Sequence, residues 1–129
     1  MKLFLDDVRV PRDCVSYMYQ RIGNLNPIYL EKWEVVRNYD EFVNFVTNNA
    51  DKITHISFDH DLADGHYSPE MYQSEEAYNK HLESIIEKTG YDCAVWLKEY
   101  FTSFRIKLPI MFVHSMNPVG TQKIINVFK

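Results

Sequence analysis

Short apolar runs, separated by longer stretches with helical spacing, predict a sheet whose strands alternate with helices. Four runs have the length and composition of strands; they are residues 2–5, 33–37, 53–58 and 110–113. The first is apolar and ends in acidic residues, which is typical of a strand buried on both faces. The predicted order is strand, irregular stretch, strand, helix, strand, two helices, strand and a final helix. Alternation of this kind favours an α/β fold with a mostly parallel sheet and right-handed crossovers.

Three segments have the clearest helical signals. Asn38 and Glu41 have the spacing of a capping box at the start of the first helix. A strong apolar stripe with helical spacing covers residues 93–104. Asn117 precedes Pro118, which places a capping residue before a proline at the first position of the last helix.

Two stretches are harder to assign from their residues. Residues 62–90 form a polar insertion, in which Ser74 is expected to begin a helix that Gly90 ends. Asp92 is then expected to cap the following helix, with a role in a functional site as the alternative. In the stretch after the first strand, residues 13–22 are interpreted as one irregular helix.

The composition predicts one folded domain spanning residues 1–129. Hydrophobic residues make up 46% of the chain and aromatic residues 15%, which excludes the disordered class. No apolar run approaches the roughly 18 residues of a membrane-spanning helix. Asp6 follows the N-terminus too early for the apolar region of a signal peptide. We therefore expect a cytoplasmic protein with no membrane partner.

Charge and cysteine content narrow the classes of partner. The formal net charge of -4 argues against non-specific binding to duplex DNA, which needs clustered lysine and arginine. A small nucleotide or a nucleic-acid end, held through a metal ion, remains compatible with this charge. Cys14 and Cys93 lie far apart and in no metal-ligand spacing, so we expect two free thiols.

Three of the predicted strands end in polar residues with chemical potential. These residues are Asp6 and Asp7 after the first strand, Asp59, His60 and Asp61 after the third, and His114, Ser115 and Asn117 after the fourth. Parallel strands place their carboxyl ends at one edge of the sheet, which is where open α/β folds bind ligands. The pattern therefore predicts a functional site at this edge.

Convergence of these acids would require a cation. Two carboxylates about 4 Å apart repel by roughly 4 kcal/mol at an effective dielectric constant near 20. Oxygen ligands favour Mg²⁺, and nearby imidazoles widen the choice to Mn²⁺ and other transition ions. Each motif alone also has a structural interpretation: a solvated acidic turn, a capped loop, or a hydrogen-bonded histidine beside a helix-capping serine.

Taken in order, the motifs resemble those of the cyclic-phosphate-processing receiver-like domains, a derived branch of the response-regulator receiver fold. The motifs are Leu5-Asp6-Asp7-Val8-Arg9 with Pro11, Trp33, Ser57-Phe58-Asp59-His60-Asp61-Leu62, Gly90-Tyr91-Asp92 with Trp96-Leu97, and His114-Ser115-Met116-Asn117-Pro118-Val119-Gly120. The resemblance implies a flavodoxin-like or receiver-like three-layer sandwich. Its mostly parallel sheet would have about four strands, no fifth strand, and a helical insertion at residues 62–90 after the third.

The resemblance also implies roles for individual residues. The acidic pair of an ordinary receiver falls on Asp6 and Asp7, its phosphoacceptor on Asp59 and its hydroxyl residue on Ser115. The lysine that ends the fifth strand of an ordinary receiver has no counterpart in this sequence. His60 and His114 are additions that ordinary receivers lack, and they favour acid–base chemistry over a phosphorelay.

The resemblance implies the processing of cyclic phosphates on nucleotides or RNA ends, and the acids and imidazoles favour a metal-assisted reaction. We therefore expect the protein to be a divalent-metal-dependent phosphoesterase. The expected metal ligands are Asp6, Asp7, Asp59 and Asp61, holding Mg²⁺ or Mn²⁺. The expected catalytic residues are Asp59, His60, His114 and Ser115, with His60 or His114 as general acid. The expected phosphate-binding residues are Arg9, Ser115 and Asn117, although Arg9 could equally form a salt bridge.

Two other functions remain open on the sequence alone. The first is a non-enzymatic module that binds a phosphorylated small molecule, or a protein partner through residues 62–90. The second is a receiver that is phosphorylated on Asp59. In the enzyme interpretation, residues 62–90 would form a lid that selects the substrate.

Overall fold

In the computed structural model, the described residues are 1–15, 27–62 and 89–129. Four strands, three α-helices and one 3₁₀ helix follow one another in these ranges. They are β1 (Lys2–Leu5), the 3₁₀ helix (Pro27–Leu30), β2 (Glu34–Val36), α1 (Tyr39–Asn49), β3 (His55–Phe58), α2 (Gly90–Ser103), β4 (Ile110–Val113) and α3 (Pro118–Val127). Residues 11–15 are also helical.

The four strands form one parallel sheet in the order β2-β1-β3-β4. This arrangement confirms the prediction of a receiver-like, flavodoxin-like α/β fold with a four-stranded sheet. No fifth strand occurs among the described residues. The chain passes from β1 to β2 on one side and then returns past β1 to β3, so the direction of winding reverses between β1 and β3. A reversal of this kind opens a crevice at the carboxyl ends of the two strands.

Alternating residues of the strands divide the core between the two faces of the sheet. On one face, Leu3 and Leu5 of β1 pack with apolar side chains of all three α-helices. On the other face, Phe4 packs in a smaller cluster with Tyr29 and Trp33. Helices on one face and residues 11–15 with the 3₁₀ helix on the other make up the three layers.

The helix starts explain two differences from the predicted boundaries. Thr89, rather than Asp92, is the N-cap of α2, and Asp92 completes a capping box from the third helical position. Gly90 is the first residue of α2, so it begins a helix instead of ending one. The prediction that Asp92 is the N-cap was wrong because a threonine followed three residues later by an acid satisfies two backbone amides at once. Asn117 caps α3, as predicted, with Pro118 in the first turn.

Several predicted features fall outside the described residues. They are the helix beginning at Ser74, nearly all of the insertion at residues 62–90, and residues 16–22 of the irregular helix. Within the described ranges, no helix is long and apolar enough to cross a membrane. Cys14 and Cys93 are buried free thiols, as predicted.

Candidate functional site

Asp6, Asp59 and His114 form a row across the carboxyl edge of the sheet. They follow immediately after the last paired residues of β1, β3 and β4, which are in register. Backbone bonds extend the ladder into the row: the Asp59 amide donates to the Leu5 carbonyl at 2.9 Å, and the His114 amide donates to the Phe58 carbonyl at 3.0 Å. Strand pairing therefore brings the three side chains together at the crevice between β1 and β3.

The row has the geometry of a possible cation site. One ligand atom from each of Asp6, Asp59 and His114 lies within 4.8 Å of the others. All three side chains are buried. Two adjacent buried carboxylates are a donor set that fits a hard or borderline divalent cation, because such an ion compensates the repulsion between them.

The surroundings of Asp6 favour its ionised form. Its Oδ1 accepts hydrogen bonds from the amides of Val8 at 3.0 Å and Arg9 at 2.8 Å. Its Oδ2 lies 3.1 Å from His114 Nε2 and 3.6 Å from Arg9 Nε. Burial alone would raise the pKa of Asp6, but the hydrogen bonds from His114 and the two amides hold it well below its ordinary value.

Asp59 has the opposite electrostatic balance. Burial, followed by the negative charge of Asp6, raises the pKa of Asp59 to about 7. The charge of Arg9 and the hydrogen bond that the His60 amide donates to Asp59 Oδ1, at 2.9 Å, offset this rise only in part. The half-buried Asp7 adds to the repulsion. A bound cation would favour the ionised form of Asp59.

His114 is the member of the row that contacts the interior of the protein. Its Nδ1 is 2.7 Å from Ser57 Oγ, and its ring stacks on Phe4 with the ring centroids 4.2 Å apart. Burial lowers the pKa of His114, and the neighbouring Asp6 offsets this effect only partly. The Ser57 hydroxyl in turn contacts the Tyr29 hydroxyl at 2.8 Å.

His60 lies at the outer side of the row, against the start of α3. Its Nδ1 is 2.9 Å from Asp61 Oδ1, and Asn117 Nδ2 donates to Asp61 Oδ2 at 3.4 Å. The imidazole packs on Gly120, where any Cβ would overlap the ring. Asp61 itself is exposed and is not part of the buried group of three ligand atoms.

Ser115 and Arg37 support the loops around the site. The Ser115 hydroxyl is buried and accepts a hydrogen bond from the Asn117 amide at 3.1 Å, next to the N-cap of α3. Arg37 donates to the carbonyls of Asp6 at 3.3 Å and Arg9 at 2.7 Å, and so holds the loop that follows β1.

Comparison with known proteins agrees with the fold. Residues 1–129 match the family model described as the cyclic-phosphate processing receiver domain. The chain belongs to this family. The match confirms the resemblance drawn from the strand-end motifs. No curated protein matches the chain, and no solved structure matches it.

This cyclic-phosphate processing receiver domain places its predicted site residues in two groups. The acids Asp6 and Asp59 share the buried row with His114. His60 and Asp61 form a second, outer pair beside Asn117, which also caps α3.

Some residues around the site of this receiver domain were given no role at the site by sequence reasoning. They are Tyr29, Ser57, Arg37, Gly90 and Gly120. Ser57 carried a signal, because it is a polar residue inside an apolar strand. Tyr29 carried none, because it comes from the irregular stretch whose path the sequence does not indicate.

Proposed function

We propose that this receiver domain is a divalent-metal-dependent phosphoesterase that opens cyclic phosphates on nucleotides or RNA ends. The observation that carries the proposal is the buried pair of carboxylates, Asp6 and Asp59, beside His114, with one potential ligand atom of each residue within 4.8 Å of the others. The row lies at the carboxyl edge of a parallel sheet in a family described as cyclic-phosphate processing.

Asp6 and Asp59 are the residues assigned to the cation, with Asp7 beside them. A bound Mg²⁺ or Mn²⁺ would polarise a phosphoryl oxygen and neutralise charge that develops during displacement. His114 Nε2 already contacts Asp6, so we assign His114 to supporting that carboxylate from the interior. Asp61 is assigned to orienting His60, because one of its oxygens contacts the imidazole at 2.9 Å.

His60 is the general acid in this proposal. Asp61 accepts from Nδ1, so in the imidazolium form of His60 the proton on Nε2 is the one that can pass to the leaving alkoxide. In the reaction, a water oxygen bonds to phosphorus and one ester P–O bond of the ring breaks. The proton from His60 neutralises the released alkoxide, and the proton lost by the attacking water passes to the solvent.

The start of α3 and Arg9 are assigned to the phosphate oxygens. Helix N-termini favour anions because their first amides lack partners within the helix. Asn117 and Ser115 lie at this start, and the guanidinium of Arg9 lies beside Asp6. Together they would hold the product monoester as well as the cyclic substrate.

The test uses purified protein with Mn²⁺ or Mg²⁺ and a panel of 2′,3′-cyclic nucleotides, 3′,5′-cyclic nucleotides and RNAs with cyclic ends. We expect conversion of at least one class to a monoester, and a loss of about 10²-fold or more in Asp59→Asn and His60→Gln. Asp51→Asn changes an exposed carboxyl at the opposite edge of the sheet and serves as the control. Failure to convert any member would refute the enzyme, and binding without turnover would support a binding module.

A further inference from the structure

Four buried polar side chains form a continuous hydrogen-bonded series that leads from the interior of the protein to the candidate site. The Tyr29 hydroxyl is 2.8 Å from Ser57 Oγ, which is 2.7 Å from His114 Nδ1. His114 Nε2 is 3.1 Å from Asp6 Oδ2. Each of the four residues is at most 1% exposed. This series begins at the 3₁₀ helix, passes through β3 and the end of β4, and reaches the end of β1.

The location of these hydroxyls is not explained by the core that surrounds them. Tyr29 and Ser57 lie on the face of the sheet occupied by Phe4, Trp33 and Phe112. Burial of a hydroxyl is costly unless it is hydrogen-bonded, and phenylalanine and alanine would avoid that cost. Among the described residues, the side-chain bonds of this pair lead only to each other and to His114.

The chemistry of the groups determines the direction of the hydrogen bonds. An ionised carboxylate accepts only, so the His114 Nε2 that contacts Asp6 must carry the hydrogen. In a neutral ring Nδ1 then accepts, and Ser57 must donate to it. The Ser57 oxygen is left to accept from Tyr29, whose pKa is raised by burial to about 12, so that its hydroxyl keeps its proton.

We propose that Tyr29 and Ser57 are positioning residues, which hold the orientation of the His114 ring and thereby the Asp6 carboxylate that receives the cation. Partners behind the residues around a metal typically change metal affinity about 10- to 100-fold when they are removed. The inference rests on the proposed function in one respect only, the assignment of Asp6 to the cation. The part that concerns His114 stands on the hydrogen bonds alone.

The test compares Ser57→Ala and Tyr29→Phe with wild type, and Tyr100→Phe with both. Tyr100 of α2 packs on Trp96 and on Phe104, the C-cap of that helix, and is not one of the four hydrogen-bonded residues. Its substitution therefore removes a tyrosine hydroxyl elsewhere in the protein. Nitrogen-15 NMR of the metal-free protein shows the tautomer of His114 and the environment of its Nε2–H group, and calorimetry with Mn²⁺ measures the affinity. Urea unfolding shows whether each variant is folded.

We expect the wild-type ring to carry its hydrogen on Nε2. In Ser57→Ala we expect the Nε2–H resonance to move, because the ring loses its partner at Nδ1 and turns relative to Asp6. We expect Mn²⁺ affinity to fall about 10- to 100-fold in Ser57→Ala and less in Tyr29→Phe, with no change in Tyr100→Phe. If Ser57→Ala does not fold, Tyr29→Phe decides, since it removes a single oxygen atom. A folded variant with unchanged Nε2–H resonance and unchanged affinity would overturn the proposal. Wild type that binds no Mn²⁺ would refute the proposed function, while the Nε2–H resonance would still decide the role of Ser57.

Discussion

Asp6 and Asp59 occupy equivalent positions at the ends of neighbouring strands. The surroundings of Asp6 stabilise its ionised form, whereas those of Asp59 destabilise it. Two backbone amides and His114 donate to Asp6 and hold its pKa low despite its burial. Asp59 accepts from one amide, and burial beside Asp6 raises its pKa to about 7. The two carboxylates therefore differ in charge state: Asp6 stays negatively charged, and the negative charge of Asp59 is the one that a cation must compensate.

This difference predicts that Asp59→Asn stabilises the metal-free protein. The folded state raises the pKa of Asp59 from 3.8 to about 7, so the native protein binds more protons than the unfolded chain between these values. Stability therefore falls as pH rises through this window, and the penalty is complete above pH 7. We expect a gain of roughly 2 to 4 kcal/mol at pH 8 and a smaller gain at pH 5.

Urea unfolding at the two pH values, with a chelator present, measures this effect. Asp51→Asn removes the same charge from an exposed position and should change stability little at either pH. An equal effect of Asp59→Asn at pH 5 and pH 8 would contradict the account.

At the scale of elements, two helices begin unusually close to the loop after β3. The Gly90 amide, at the start of α2, donates to the His60 carbonyl at 2.8 Å, and a Cβ on Gly90 would overlap the Asp59 carbonyl oxygen. A Cβ on Gly120, in the first turn of α3, would overlap the His60 ring. The two glycines thus let both helix starts approach the same loop, and His60 lies between them.

The two glycines should respond differently to alanine. In Gly90→Ala the obstacle is backbone, which cannot move aside, so we expect a loss of about 2 kcal/mol or more in stability. In Gly120→Ala the obstacle is the ring and Cβ of His60, so the whole side chain must move, and the gain in helix propensity of up to about 1 kcal/mol offsets part of that cost. We expect Gly120→Ala to remain folded and to lose about 10²-fold in cyclic-phosphate turnover.

Thermal unfolding and turnover of the two variants separate these outcomes. Val119→Ala places alanine at an exposed neighbouring position of α3 and is the control. A Gly120→Ala protein with full activity would show that the position of His60 does not matter for the reaction.

The elements also show which features the sequence could indicate. The bounds of β1 and β4 agree with the predicted strands because apolar runs there end abruptly in polar residues. The strand predicted at residues 53–58 is shorter, His55–Phe58, since only these residues pair with β1. The cap of α2 was misplaced because Asp92 belongs to a reciprocal pair with Thr89, and either residue alone has the chemistry of a cap.

At the scale of the molecule, topology accounts for what the sequence could predict about the site. Parallel strands must end at one edge, so the meeting of Asp6, Asp59 and His114 followed from the strand order alone. The depth of His114 did not follow, because alternation along β4 assigns a face only once the register is known. The Tyr29 contact was also unpredictable, since a tertiary approach from an irregular stretch has no local signature.

A cation that binds only the folded protein should raise the stability of the whole domain. At a concentration 100 times its dissociation constant, the gain in the free energy of unfolding is about 2.7 kcal/mol. For a domain of this size, this corresponds to a rise in Tm of roughly 8 °C. Thermal unfolding with Mn²⁺ should show this rise, and excess chelator should reverse it.

Asp6→Asn should abolish the rise, because it removes the carboxylate whose charge is held constant. Asp51→Asn, at the opposite edge of the sheet, should keep it. An equal rise in wild type and Asp6→Asn would mean that the ion binds elsewhere on the protein.

The row across the strand ends also bears on how the protein acquires its site during folding. His114 and Asp6 are in contact although 108 residues separate them along the chain. Closing so long a loop is entropically expensive, and contacts of this range form slowly. A fragment that ends before β4 lacks His114, and a fragment that begins after β1 lacks Asp6. The complete row of Asp6, Asp59 and His114 therefore forms only when β1, β3 and β4 have paired in the correct register. Formation of the site is for this reason a sign that the sheet has folded.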